Sequence, residues 1–229
     1  MNTDIATTKL PSKLLFKKWA KSTPDNFRFA IKLPNQIVQD TIKMGDFLEE
    51  LAPLEEKILA IVVESFTNLG NKGREWLDDT LHSCTYHGFS VAFEFKHPSW
   101  FQDLTYNLLN KYKAAVVWSE FSTRYSYPVV TADFLYLRII GGNHEEKWIS
   151  KVKQKVSESN NSQGRTINNL QEGEGLLDTA IIVVSSPASA NCILRLLDLP
   201  ERQYGHSQWI GKVIMHIDLN SFFPFVLYH

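Results

Sequence analysis

Apolar runs of strand length recur along this chain, and segments of helical period separate them. Phe27–Leu33, ended by Pro34, is the first run; Lys57–Val63, Phe89–Phe95 and Ala114–Trp118 follow. Phe134–Ile140 stops at Gly141-Gly142, Thr179–Val184 comes next, and Gly211–Ile217 is the last. Several of them are apolar at successive positions, the pattern of strands covered on both faces in a parallel sheet.

The intervening segments read as amphipathic helices. Ser12 can cap a helix running to Lys21, with Leu14, Leu15 and Trp19 on one side and Lys13, Lys17 and Lys18 on the other. Ile37–Leu51 is a second, stopped by Pro53, and Lys72–Cys84 a third. Leu104–Tyr112, Glu145–Val156 and Ala188–Leu199 complete the set. Strand followed by helix, repeated, predicts a parallel α/β architecture, either a barrel or a doubly wound sheet. The polar stretch 157–175 interrupts the alternation, which resumes beyond it, so it reads as a loop and not a domain linker.

Composition narrows the function classes. Lys and Arg number 24 against 25 Asp and Glu, for a formal net charge of -1. Such a balance carries no electrostatic footprint for nucleic acid. No apolar run is long enough to span a membrane, and Met1–Lys9 lacks the apolar core of a signal peptide, so the expected compartment is the cytoplasm. The two cysteines, Cys84 and Cys192, lie in helical stretches and are expected to be buried thiols. The seven histidines are scattered without ligand spacing, so no metal is expected. Neither a phosphate-cradling glycine loop nor a Gly-x-Ser-x-Gly elbow occurs, and no cofactor is implied.

Candidate chemistry gathers at predicted strand ends. Glu94 stands one residue from the end of a strongly apolar strand, where burying a carboxylate is costly unless it is paired. In a β/α barrel the site lies at the C-terminal ends of the strands. Lys96, His97 and Trp100 follow on one loop, and Pro98 holds His97 extended. Lys32 and Arg138 occupy equivalent places on two other strands, and Arg138 could grip a carboxylate or phosphate bidentately. Glu120, just past Trp118, offers a second carboxylate for acid–base work. The same residues also suit a salt-bridge network that fixes the strand–loop junctions, with Trp100 as a packing lid. Both readings stand on the sequence.

From Leu10 to about Glu201 the chain resembles the YecE-like family, domain of unknown function seventy-two. The resemblance rests on Leu10-Pro11-Ser12 with Trp19-Ala20, on Phe27-Arg-Phe-Ala-Ile-Lys-Leu-Pro34, and on Thr131-Ala-Asp-Phe-Leu-Tyr-Leu-Arg138. Its most specific part is Ala92-Phe-Glu-Phe-Lys-His-Pro-Ser-Trp-Phe101. The resemblance implies a TIM-barrel-like fold and a site at Glu94, but no reaction. It also implies that the family's first β/α unit is missing here, which would leave the barrel incomplete with an open edge prone to self-association. Other family positions differ: an expected Pro-Pro reads Val63-Glu64, and an expected His reads Gln39. A separate stretch, Val213–Phe223, is similar to the opening strand of Y-family DNA polymerases, with Asp218 and Phe223 at the matching positions. The remainder of such a palm is absent, so no two-metal site is expected.

The expected organisation is therefore an incomplete barrel domain over 1–205 and a C-terminal strand with a hydrophobic tail over 206–229. Three functions remain open. One is a barrel protein taking a small polar or anionic ligand through Lys32, Lys96, His97, Trp100 and Arg138, with Glu94 and Glu120 as candidate catalytic groups. The second is a degenerate, non-catalytic paralogue, and the third is a partner-dependent interaction protein.

Overall fold

The structure, a computed structural model, describes residues 10–65, 71–119, 129–139, 150, 154, 179–184 and 213–218. The chain divides into two compact units. The first comprises Met1–Glu64, Glu75–Val91 and Ile210–His229; the second comprises Ser65–Arg74 and Ala92–Trp209.

In the first unit, β1 (Phe27–Lys32) lies between β2 (Ile58–Ser65) and β7 (Val213–Asp218), and all three run parallel. β1 and β2 pair from Phe29↔Ile58 to Lys32↔Val62, with a shift between Phe29 and Ala30. β1 and β7 pair without interruption from Phe27↔Val213 to Lys32↔Asp218. The expected strand Gly211–Ile217 is thus an integral neighbour of β1.

Helix α1 (Lys13–Ser22) packs on the Phe29 face of β1. Its stripe differs from the expected one: Leu14 is 77% exposed, and Phe16 takes the buried place. Phe16 meets Trp19 edge-on at 5.4 Å and Phe47 at 6.0 Å, and Trp19 stacks on Phe29 at 6.3 Å. Phe16, Trp19 and Ala20 follow the i, i+3, i+4 spacing of one helix face, from which Leu14 is displaced. Lys57 closes the C-terminal end of α1 and the turn after it: its Nζ donates to Ala20 O (2.9 Å), Thr23 O (2.8 Å) and Pro24 O (3.1 Å).

The segment expected as one helix, Ile37–Leu51, is two. α2 (Asn35–Val38) ends at Gln39, and α3 (Thr41–Glu50) starts anew because Asp40 caps it, its side chain accepting from Lys43 N at 3.2 Å. A short-chain carboxylate in extended backbone satisfies an orphan N–H at a helix start, so it divides an otherwise continuous apolar stripe. A 3₁₀ turn, Ala52–Lys57, then leads into β2.

α4 (Asn71–Tyr86) ends in a left-handed turn at Gly88, with φ of 78°. Phe89 N donates to Cys84 O and Gly88 N to Thr85 O, which closes the helix with a glycine in the conformation that lacks a Cβ penalty. Cys84 itself is fully buried, and loss of water pushes its thiol up to about 12. Above about pH 9 the unfolded thiol ionises while the folded one does not, so stability should fall with rising pH, by up to ~1.4 kcal/mol per pH unit. In a Cys192→Ser background, Cys84 should resist thiol reagents at pH 8 until the chain is unfolded. Rapid labelling of the folded protein would show the site to be open.

In the second unit β3 (Val91–Phe95), β4 (Ala115–Ser119), β5 (Phe134–Ile139) and β6 (Thr179–Val184) lie side by side in that order, all parallel. α5 (Asp103–Lys111) delivers the chain to β4 through the same closing turn that ends α4. Here Lys113 adopts φ of 51°, with Lys113 N donating to Asn110 O and Ala114 N to Leu109 O. Thr131 brackets the start of β4, its Oγ1 accepting from Val116 N (3.1 Å) and donating to Ala114 O (2.7 Å). The expected strands match β1 to β7 to within two residues at each end. The expected helices Glu145–Val156 and Ala188–Leu199 and the loop 157–175 lie outside the described residues, apart from 150 and 154. No helix among the described residues is long and apolar enough to cross a membrane.

Candidate functional site

Alternation along β3 decides where Glu94 points. Phe93 and Phe95 share one face, stacked at 5.6 Å, and Phe95 stacks on Trp100 at 4.8 Å. Ala92 and Glu94 therefore share the other face. On the neighbouring strands the same row is set by register: Ala92 pairs with Ala115, and Val117 with Tyr136. One step toward the C-terminal ends, Ser119 pairs with Arg138. The alanines keep the lower row small, and Glu94, Tyr136, Ser119 and Arg138 lie in the rows above it, alongside the apolar Val117.

Glu94 is 2% exposed, and both of its oxygens are engaged by cations. Oε1 receives Lys96 Nζ, and Oε2 receives Arg138 Nη1 at 2.7 Å. The two cationic side chains remain 23% and 22% exposed, respectively. A buried carboxylate thus forms a floor beneath two partly exposed cations, and the formal charge of the three is +1. Tyr136, two residues before Arg138 on β5, is fully buried. Burial first, and the Glu94 carboxylate second, push its phenol far above the ordinary range, while Arg138 pulls the other way. The phenol stays a neutral O–H at any physiological pH.

His97 and Trp100 are held by the turn that follows β3. His97 Nδ1 accepts the Ser99 backbone N–H at 3.2 Å and lies 2.8 Å from Ser99 Oγ, which caps the 3₁₀ turn Pro98–Trp100. With Nδ1 an acceptor, the ring proton belongs on Nε2. Trp100 is fully buried against Phe95.

Lys32 belongs to the first unit, where it is 6% exposed and ion-paired with Glu64, itself 7% exposed. Glu64 reaches it because Lys32 pairs with Val62, so Glu64, two residues on, has the same facing at the end of the adjacent strand. Glu120 lies outside the described residues. Among the described residues, no three His, Cys, Asp or Glu side chains come together to hold a metal ion.

A family model described as "Protein of unknown function DUF72" matches residues 4–202. The chain belongs to the DUF72 family. This is the family that the Ala92–Phe101 string resembles. No curated protein matches the chain. Among solved structures, a DUF72 family protein from Enterococcus faecalis V583 aligns with a TM-score of 0.63 at 18% identity, over 90% of this chain and 87% of that one. A DUF72 family protein from Thermotoga maritima MSB8 aligns with a TM-score of 0.57 at 19% identity, over 86% of this chain and 81% of that one. At such identities the likeness shows the fold, which is α/β and TIM-barrel-like.

Two residues beside the candidate side chains of this DUF72 protein escape a reading of motifs. Glu64 ends an apolar run and looks like a strand terminus until β1 and β2 are aligned. Tyr136 looks like core, yet it shares a face with Arg138 at the i, i+2 spacing of a strand. Pairing register, not local composition, is the signal that would have found both.

Proposed function

We propose that this DUF72 protein binds a small anionic ligand, through one carboxylate or phosphate group, at the C-terminal ends of β3 and β5. The supporting observation is the Glu94 carboxylate, 2% exposed, holding Arg138 and Lys96 while both cations keep about a fifth of their surface in solvent. Glu94 fixes the guanidinium and the ammonium before any ligand arrives, so little side-chain freedom is lost on binding. The surplus positive charge favours an anion, and a guanidinium can meet carboxylate or phosphate oxygens with two donors. His97 Nε2–H supplies a further donor from the adjoining loop. A catalytic reading would use Glu94 as acid or base. Its two oxygens are already engaged by cations, which suits a group that orients its neighbours better than one that meets a substrate directly.

Titration calorimetry with inorganic phosphate and with citrate at low ionic strength tests this reading. Arg138→Gln should weaken binding about tenfold or more, equivalent to ~1.4 kcal/mol, and added salt should weaken it further. Binding that Arg138→Gln leaves unchanged, or no binding to the wild-type protein below roughly 10 mM, would refute it.

A further inference from the structure

The two cations held by Glu94 are chemically unlike. Arg138 is a guanidinium, permanently charged and unable to act as a nucleophile. Lys96 presents a primary amine once it gives up a proton, and such an amine adds to carbonyl carbon. It follows Phe95, the last residue of β3, and so stands at the C-terminal ends of the strands, where the site of a β/α barrel lies. Its ammonium rests on Glu94 Oε1 while 23% of the side chain meets solvent, so a small molecule can reach it. We propose that Lys96 captures the carbonyl group of a small aldehyde or ketone as an imine, while Arg138 holds the carboxylate or phosphate of the same molecule. The inference rests on the anion-binding reading and adds to it a substrate class and a covalent step.

Atoms and charge balance without a further reactant. Lys96 begins as an ammonium with three protons on Nζ. The bond from Nζ to the carbonyl carbon forms as one proton passes to the carbonyl oxygen, directly or through solvent. A second proton follows, the carbon–oxygen bond breaks, and the oxygen leaves as water. Nζ keeps the third proton, so a protonated imine and one water replace the ammonium and the carbonyl. The intermediate amino alcohol is neutral, and positive charge returns to the nitrogen as water departs. Glu94 suits that change. It is 2% exposed, and a fixed, poorly screened carboxylate beside the nitrogen stabilises the charge as it develops. Glu94 therefore orients and stabilises, and the amine reacts. The other oxygen of the same carboxylate holds Arg138 at 2.7 Å. Amine and guanidinium are thus neighbours on one fixed group, a spacing that fits a molecule whose carbonyl lies a few bonds from its anionic end.

Reductive trapping on the wild-type protein tests the proposal. The protein is incubated with sodium cyanoborohydride and, separately, glyoxylate, pyruvate or glycolaldehyde phosphate; reduction fixes any imine as a stable secondary amine, located by peptide mass mapping. Lys111 and Lys113 precede β4, at the opposite ends of the strands, and serve as internal controls. At least one probe should modify Lys96 about tenfold or more faster than either control. Glycolaldehyde, which lacks the anionic group, should label Lys96 about tenfold less than its phosphate does. Lys96→Arg keeps a cation on Glu94, and it should still bind inorganic phosphate in calorimetry. Labelling of Lys96 no faster than of the controls with every probe would overturn the imine, and phosphate binding that still depends on Arg138 would show that the anion-binding reading survives that failure. Equal labelling of Lys96 by glycolaldehyde and its phosphate would overturn the proposal from the other side, because Arg138 would then grip no anion during the capture.

Discussion

Replacing Glu94 by alanine should destabilise the protein by about 3–5 kcal/mol, because the two cations it neutralises are left facing each other over a buried gap. The carboxylate is 2% exposed, so solvent screens its interactions little. For a chain of this size that corresponds to a fall in melting temperature of roughly 6–20 °C. Glu94→Gln keeps the volume and should show how much of the loss is charge. In Glu94→Leu/Arg138→Leu the buried charge and one of its partners leave together, and Lys96 can turn its ammonium to water. The double variant should therefore recover a large part of the deficit, as pairs of buried charges often do when replaced by apolar groups. Urea midpoints for Glu94→Leu, Arg138→Leu and the double variant form a cycle. Additive losses would mean that the Glu94–Arg138 contact contributes nothing.

Lys32→Met should be comparably damaging, at about 3–5 kcal/mol, since Glu64 would lose its cation at a position where it is 7% exposed. Adding Glu64→Leu should restore most of the stability. A double variant no more stable than Lys32→Met would show that the charge left on Glu64 is not the cause. Lys32 is thus tied to a carboxylate of its own, and the anion-binding proposal rests on Arg138 and Lys96.

Much of the architecture could be read from apolar periodicity alone. The strands among the described residues were legible because parallel strands covered on both faces are apolar at most positions. Helices were legible where amphipathic, but their breaks were not. Asp40 divides Ile37–Leu51 through a single cap, and a carboxylate in a polar face looks the same whether it caps or merely faces water. Leu14 shows the same limit: its neighbours fix which residues of α1 could face inward, but the packing of Phe16 against Phe47 decides which do.

Site residues were legible where chemistry and strand position coincided. Glu94, Lys96 and Arg138 could be singled out as charges at the ends of apolar strands, and they meet. Lys32 could be singled out on the same ground, but its partner could not. Glu64 becomes visible only when β2 is laid beside β1 in register, and register is a property of two strands that neither segment encodes alone. The buried neutral phenol of Tyr136 was hidden for a different reason. Its sequence context, Leu135 and Leu137, is that of any core strand, and only the facing of Arg138 distinguishes it.

The pairing of β1 with β7 also sets a schedule for biosynthesis. Residues 33 through 212, 180 in all, separate the end of one strand from the start of the other. At a translation rate of about 5–20 residues per second, β1 waits on the order of 10–35 s before its neighbour exists. During that interval neighbouring nascent chains on one message carry the same uncovered edge. Ribosome spacing and translation speed, rather than the stability of the finished protein, would then govern how much of it is recovered in single-chain form.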